Sequence, residues 1–251
     1  MPTRLLALLS TVLAGAALAT GSASAGPSII GGIAADQPYP FVVSLHSASG
    51  QVFCAGSLIA PSWVATAAHC VYGKDPSTVA LRLGSNESDQ GGETAQAAEF
   101  IVHPHFNAQT QTGDLALIRL AAAAKTAPVV LGTHAAPGAQ TRILGWGQTC
   151  ATPGCGPLAP SLYQLDTHLV TGSKCTAAFD GTAELCTDNP GGNAGSCYGD
   201  SGGPELIRDG DHWTLIGLTS RPGNGSPTCA TAPSIYTSVV AYAPWIAEKT
   251  G

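Results

Sequence analysis

The sequence predicts an all-β protein, and three observations support this fold class. Glycine (31 residues) and proline (18 residues) interrupt the chain at short intervals, which favours many short strands joined by turns over long helices. Charged residues make up only 10% of the chain and apolar residues 44%, so a substantial core can form and disorder is not expected. A length of 251 residues suits one domain of the barrel type or two small domains.

The charge balance and the cysteine count restrict the partners and the compartment. The net charge is −6 and Lys and Arg form no cluster, which argues against a nucleic-acid partner because phosphates require a basic surface. Eight cysteines, an even number, indicate disulfides and an oxidising compartment. A zinc site is not indicated, since the sequence contains no Cys-x-x-Cys pair.

Residues 1–25 have the three parts of a secretory signal peptide. Arg4 precedes the apolar run Leu5–Leu18, and Ala23-Ser24-Ala25 provides a small-residue cleavage site. The apolar run is too short to span a membrane, so we expect a secreted, extracellular protein with no membrane partner. Cleavage after Ala25 leaves the short segment 26–28 in front of Ile29.

Three short segments contain the residue types of a nucleophilic hydrolase. The segments are Thr66-Ala67-Ala68-His69-Cys70, Gly113-Asp114-Leu115-Ala116-Leu117 and Gly199-Asp200-Ser201-Gly202-Gly203-Pro204. A serine hydroxyl becomes a good nucleophile only when a base takes its proton, and an acidic residue can orient that base. The order His69, Asp114, Ser201 is one of several orders that serine hydrolases use.

These segments resemble those of the chymotrypsin/trypsin family of serine proteases, and the resemblance spans nearly the whole chain after the leader. It implies two packed antiparallel six-stranded Greek-key β-barrels with a short C-terminal helix. We expect the protease domain at residues 29–251. Within it, the first barrel would cover about 29–120, the second about 133–236 and the helix about 236–249.

Apolar runs along the chain suit this architecture. They predict strands at Phe41–Leu45, Val52–Ile59, Val79–Leu83, Glu99–Val102, Leu115–Leu120 and Ile143–Gly147. Val239, Val240, Trp245 and Ile246 suit a terminal helix, although Pro244 weakens its middle.

The polar segment 84–94 lies where trypsins bind calcium. Ser85 stands at the place of the first glutamate ligand. Glu87, Asp89 and Glu93 could still gather a hard cation, but a solvated acidic loop is favoured. We therefore expect no metal and no other cofactor.

The resemblance assigns roles in catalysis to five residues. Ser201 would be the nucleophile, His69 its base and Asp114 the group that orients the imidazole and stabilises its charged form. Ser220 would donate a hydrogen bond to Asp114. The backbone N–H groups of Gly199 and Ser201 would form the oxyanion hole.

The segment Ile29-Ile30-Gly31-Gly32 is similar to the mature N-terminus of the trypsin-like family. In that family a new α-amino group turns inward and pairs with the aspartate before the nucleophile, here Asp200. A buried carboxylate needs such a partner. Residues 26–28 would then be a short activation peptide, and Ser28 replaces the basic residue of trypsinogens, so self-activation by a trypsin-like cut is not expected.

The predicted substrate pocket departs from the trypsin pattern. Gly195, followed by Ser196, replaces the aspartate at the base of the pocket, so no fixed carboxylate would compensate a buried Lys or Arg. Ser234 replaces a wall glycine of chymotrypsin and would narrow the pocket. We therefore expect small or medium uncharged side chains in it, and no specificity for Lys or Arg.

The wall of the substrate cleft also differs, because Ser220-Arg221-Pro222 replaces the usual Ser-Trp-Gly. Pro222 cannot donate a backbone hydrogen bond, so we expect altered binding of extended substrates. Arg221 offers a weaker alternative for specificity, in which its charge attracts an acidic residue of the substrate.

The resemblance implies three usual disulfides, and the spacing suggests a fourth. The usual pairs are Cys54 with Cys70, Cys175 with Cys186, and Cys197 with Cys229. Cys150 and Cys155 are close enough in sequence to close a small ring. This pair does not belong to the usual trypsin set.

Taken together, the sequence predicts a secreted serine endopeptidase that cleaves proteins or peptides through an acyl-enzyme. We expect a monomer, and protein protease inhibitors are further candidate partners. One alternative is a protease-like binding protein with weak or no turnover, for which the altered Arg221-Pro222 wall is the best support. Another is an esterase that uses the same triad.

Overall fold

The computed structural model describes Met1 and residues 29–251. The predicted activation tripeptide, and the predicted signal peptide apart from Met1, lie outside the described residues. Within the described part of the chain, no helix is both long and apolar enough to cross a membrane. The chain forms short antiparallel strands and few helices, as the frequent glycines and prolines predict.

The first barrel is closed by six antiparallel strands. After the short strand β1 (Ile33–Ala34), these are β2 (Val42–His46), β3 (Val52–Ala60), β4 (Trp63–Thr66), β5 (Ala80–Leu83), β6 (Glu93–Val102) and β7 (Ala116–Leu120). They are hydrogen-bonded in the closed order β2-β3-β4-β7-β6-β5. A single helical turn, α1 (Ala68–Val71), follows β4 directly, so His69 lies at the rim of this barrel.

The second barrel has the same number of strands. After β8 (Val130–Leu131), these are β9 (Gln140–Gly145), β10 (Tyr163–Val170), β11 (Glu184–Thr187), β12 (Pro204–Asp209), β13 (His212–Pro222) and β14 (Ser234–Ser238). The order is β9-β10-β11-β14-β13-β12, and pairing of β12 with β9 closes the ring. The predicted fold class, two closed six-stranded barrels followed by a short helix, is confirmed.

One apolar cluster fixes the two barrels against each other. Leu58 and Leu117 of the first barrel belong to the same buried cluster as Trp146 and Leu206 of the second. Trp146 is almost fully buried, and its indole N–H donates to the carbonyl of Asn86, 2.8 Å away, in the loop after β5. A groove between the barrels is therefore bounded by two rigid walls.

Two predicted boundaries differ from the structure. Residues 29–34 belong to the second barrel and not to the first, because Ile29 packs with Ile143 and Tyr236 and β1 pairs with β10. The C-terminal helix, α2 (Ala243–Thr250), begins later than residue 236 because residues 234–238 form the buried strand β14. Pro244 lies in the first turn of α2, where its missing N–H has no helical partner to lose.

A carboxyl group lies inside the second barrel. Glu205 on β12 is fully buried, and both its side-chain oxygens are 2.9 Å from Thr187 Oγ1 on β11. Burial raises the pKa of Glu205 to about 7, and the hydrogen bond from Thr187 acts in the opposite direction. Folding therefore favours the protonated form of this group.

The free energy of unfolding should fall with rising pH because of Glu205. The folded pKa, about 7, lies above the ordinary value of 4.5, so the stabilising contribution is complete below pH 4.5 and is lost as the pH rises through 7. Glu205→Gln keeps an acceptor for Thr187 and removes this titration. We expect the variant to gain about 3 kcal/mol relative to the wild type between pH 4.5 and pH 8.

Urea unfolding of both proteins at the two pH values measures this gain. Every other titrating group is common to the two proteins and cancels in the comparison. A difference in unfolding free energy that is the same at both pH values would contradict the assignment.

Candidate active site

A cleft of about 560 Å³ lies between the barrels. The first barrel contributes His69 and Gln111 to its lining, and the second contributes Ser196, Ser201 and residues 219–222. Three residues predicted from separate sequence motifs thus meet in one place, since Asp114 lies directly behind His69.

Asp114 is fully buried and fixes the histidine in two ways. Its Oδ2 accepts from His69 Nδ1 at 2.7 Å, and its Oδ1 accepts from the His69 backbone N–H at 2.9 Å. A carboxylate only accepts, so the proton lies on Nδ1 and leaves Nε2 free to act as a base. Ser220 Oγ donates to Asp114 Oδ2 at 2.6 Å.

The loop that carries Ser201 is held tightly against the first barrel. The Ser201 carbonyl accepts from the Ala55 N–H on β3 at 2.8 Å. Gly202 has φ +76°, and a Cβ there would lie 2.9 Å from the Ala67 nitrogen. Only glycine fits this conformation and this space, so the sequence Ser-Gly allows the loop to pack against the barrel that carries His69.

The backbone before Ser201 presents unused donors. Within residues 29–251, neither Gly199 nor Ser201 donates its N–H in a hydrogen bond, whereas Asp200 donates to the Cys197 carbonyl and Gly202 to the Thr219 carbonyl. Gly199 has φ +98°, and a Cβ there would lie 2.6 Å from a methyl carbon of Leu158. Two free N–H groups beside a serine hydroxyl can bind a developing negative charge.

Asp200 is buried beneath this loop. Its Oδ1 accepts from the Gly147 N–H at 2.7 Å and its Oδ2 from the Cys197 N–H at 2.8 Å. Burial raises its pKa to about 7 against the effect of these bonds. Among the described residues no cationic group pairs with it.

The N-terminal segment lies in the same buried region. Ile29 is fully buried beside Tyr236, whose pKa is raised chiefly by burial and to a lesser degree by the charges of Glu205 and Asp200. The Ile30 carbonyl accepts from the Gly195 N–H at 2.9 Å. The first residues of the predicted mature chain therefore pack against the loop that leads to Ser201.

Three of the predicted pocket residues, Gly195, Ser196 and Ser234, lie close together and carry no charge. Ser196 Oγ donates to Ser234 Oγ at 3.2 Å, and a Cβ on Gly195 would lie 3.8 Å from the same Ser234 oxygen. No Asp or Glu is among the described residues that line the cleft. A positively charged side chain would find hydroxyl groups there and no carboxylate.

Arg221, the weaker alternative for specificity, already has a carboxylate partner within the protein. Its side chain is only 7% exposed and forms a two-pronged ion pair with Glu184 on β11, with N–O distances of 2.8 and 2.9 Å. The guanidinium is already neutralised and buried. Pro222, the next residue, pairs with Ser234 of β14.

The four predicted cysteine pairs are the disulfides of the structure. They join Cys54 to Cys70, Cys150 to Cys155, Cys175 to Cys186, and Cys197 to Cys229. The small Cys150–Cys155 ring contacts the cleft wall, because the Ala151 carbonyl accepts from the Cys229 N–H at 2.9 Å.

Two of the three acidic residues of segment 84–94 are bonded within the protein. Glu93 accepts from the N–H groups of Lys125 and Thr126 and from the Thr126 hydroxyl, and Glu87 accepts from Ser161 Oγ. Of the described residues, Cys54, His69 and Cys70 form a cluster with the spacing of a metal site. Its two sulfurs are joined in a disulfide and cannot act as thiolate ligands.

Sequence reasoning missed Gln111 and Glu184. Gln111 lies in the loop between β6 and β7, where no motif marks it. Glu184 is a buried acid in the otherwise apolar strand segment Glu-Leu-Cys-Thr, and a charge in such a setting could have suggested a buried partner. The identity of that partner depends on the fold.

Comparison with known proteins agrees with this geometry. The family model described as Trypsin matches residues 29–246. The chain is 35% identical to Serine protease 1 of Rattus norvegicus (96% of this chain and 97% of the relative). It is 37% identical to a trypsin of Sus scrofa (88% and 94%) and 33% identical to a trypsin of Saccharopolyspora erythraea (85% and 94%). The chain belongs to the trypsin family and is a serine-type endopeptidase.

Proposed function

We propose that the protein is a secreted endopeptidase whose catalytic triad is Ser201, His69 and Asp114. The observation that carries this proposal is the buried Asp114 carboxylate, bonded to His69 Nδ1 and Ser220 Oγ beside Ser201 in the same cleft. The four disulfides and the predicted signal peptide support an extracellular location.

The reaction follows from the donors and acceptors in the cleft. Ser201 Oγ attacks the carbonyl carbon of the substrate and gives its proton to His69 Nε2, while Asp114 stabilises the imidazolium. The N–H groups of Gly199 and Ser201 bind the oxyanion of the tetrahedral intermediate. His69 then protonates the leaving amine, and the C–N bond breaks to give an acyl-enzyme.

Water completes the cycle. His69 takes a proton from the water, whose oxygen attacks the acyl carbon, and a second oxyanion forms in the same hole. The ester bond to Ser201 breaks, and His69 returns the proton to Oγ. The second product is the new carboxylate end of the cleaved peptide.

The preferred side chain before the scissile bond should be small or medium in size and uncharged. Ser196 and Ser234 offer hydroxyl groups and narrow the recess, and transfer of a Lys or Arg into it would leave a charge without a carboxylate. Arg221 is neutralised by Glu184 and therefore does not favour acidic side chains.

A peptide-library screen tests both the nucleophile and the pocket. The full chain is produced in a secreting host, its mature N-terminus is determined by sequencing, and cleavage of a fluorogenic library is recorded. We expect cleavage after uncharged side chains, and Ser201→Ala should lower the rate by about 10⁶-fold.

Cleavage mainly after Lys or Arg would contradict the interpretation of Gly195 and its neighbours. A correctly processed wild type that cleaves no peptide would favour the alternative of a protease-like binding protein. Hydrolysis of esters alone would favour the esterase.

Cleavage before Ile29 should activate the protein by giving Asp200 a cationic partner. An amine paired with a buried carboxylate has a pKa above its unfolded value, so its stabilising effect is complete below the unfolded pKa and is lost as the pH rises through the folded pKa. We therefore expect a reversible loss of activity at alkaline pH.

Acetylation of the Ile29 amine should remove the activity at every pH. The control is protein whose lysines are acetylated before the cleavage that exposes Ile29, because this material keeps the free α-amine. An alkaline activity limit that acetylation of Ile29 leaves unchanged would disprove the pairing.

A further inference from the structure

A buried arginine joins three segments of the cleft wall. The guanidinium of Arg221 donates to both carboxylate oxygens of Glu184 on β11. It also donates to the Gln111 carbonyl at 2.9 Å and to the Ala178 carbonyl at 2.9 Å. Gln111 belongs to the first barrel and Ala178 to the loop between β10 and β11, so one side chain connects both barrels beside the cleft.

The two carbonyls that Arg221 binds belong to residues in an uncommon conformation. Gln111 has φ +56° and Ala178 has φ +49°, a region that non-glycine residues adopt only where the surroundings enforce it. Within this loop, the Gln111 N–H donates to Asn107 and the Asn107 N–H to Thr112. Asp114 at the end of the loop is also bonded to the second barrel, and the bond from Arg221 connects Gln111 itself to that barrel.

One edge of β13 has no described strand beside it at residues 220–222, although Pro222 has no N–H and its carbonyl accepts from the Gly225 N–H at 3.2 Å. One edge of β13 pairs with β14 through Pro222, but β12 pairs with the other edge only as far as Leu218. No described strand covers that second edge between Ser220 and Pro222, and these residues line the cleft with Gln111. An extended peptide can add itself to such an edge through main-chain hydrogen bonds.

A buried ion pair of this kind is a poor source of stability. The cost of removing both charges from water offsets most of their attraction, and apolar residues of similar volume often serve as well. The Nε of Arg221 also has no hydrogen-bond partner among the described residues. Positioning of the neighbouring segments explains the ion pair better than stability does. The planar guanidinium can hold a carboxylate and two carbonyls in fixed directions.

We propose that Arg221, held by Glu184, is a positioning residue for extended peptide substrates. It fixes the Gln111 loop of one barrel and the free edge of β13 on the other at the spacing that an extended chain requires. Its guanidinium acts through these segments and not on the substrate. This inference rests on the proposed function, since the peptide occupies the same cleft.

The test compares a short and a long substrate on matched variants. Arg221→Met with Glu184→Gln removes both charges together, and the amide oxygen of the new glutamine side chain can still accept from the Asp180 N–H that now binds Glu184. Arg221→Lys keeps the ion pair but loses the planar fork. The control is Arg119→Met with Glu99→Gln, which removes an exposed ion pair (48% and 50% exposed) on the outside of the first barrel.

We expect both Arg221 variants to lower kcat/KM about tenfold for a peptide with four residues before the scissile bond, through a higher KM at nearly constant kcat. A single-residue ester that does not reach the strand edge should lose much less activity than the long peptide, although Arg221 Nη1 also lies 3.3 Å from Ser220 Oγ. The control pair should change neither reaction.

Equal losses on both substrates would show a merely structural role and overturn the inference, as would an unchanged KM for the long peptide. Failure of the proposed function would give a different result from failure of this inference. The wild type itself would then show no Ser201-dependent hydrolysis of either substrate. Thermal unfolding of each variant shows that the comparison is made on folded protein.

Discussion

The structure around the cleft depends on the hydrogen bonds to the buried carboxylate of Asp114. Its donors come from two barrels, with the His69 N–H and Nδ1 from the first and Ser220 Oγ from the second. A buried charge is stable only when its partners are fixed, so the barrels must meet in one relative position. The Thr237 hydroxyl strengthens the connection by donating to the Asp114 carbonyl at 2.9 Å. The proposed triad thus depends on the packing between barrels as much as on local sequence.

Glycines near Ser201 allow the required close approach. A Cβ on Gly203 would lie 2.8 Å from two carbonyl oxygens, those of Asp200 and Leu144. Gly145 and Gly147 leave room for the Asp200 carboxylate, which the side chain of any other residue would meet. The loop is therefore compressed between β3 on one side and the buried acid on the other. These close contacts explain why the short sequence motif contains glycines.

The fold class was predictable, and the residues of the proposed triad could be located, because their signals are local. The apolar run 115–120 predicts β7 closely, whereas β6 begins at Glu93 and not at Glu99 because its exposed polar residues alternate with buried ones. The direction of Arg221 was not predictable, since Glu184 is 37 residues away in sequence and only the pairing of β11, β14 and β13 brings them together. Local sequence motifs identify candidate catalytic residues. The pairing of strands that are distant in sequence determines which charged side chains find a partner of opposite charge.

Four buried acids show how the available partner decides what each one does. Asp114 meets a histidine and a serine, which suits a group that must stay charged beside a forming imidazolium. Glu184 meets an arginine fork and serves to fix geometry. Asp200 has two backbone N–H groups and Glu205 one threonine, and burial raises the pKa of both to about 7. Of these two, Asp200 lies in the region of Ile29, so under the proposed activation a single peptide cleavage would supply its missing charge. The same lack of a cationic partner would then be a switch at Asp200 and is a fixed cost to stability at Glu205.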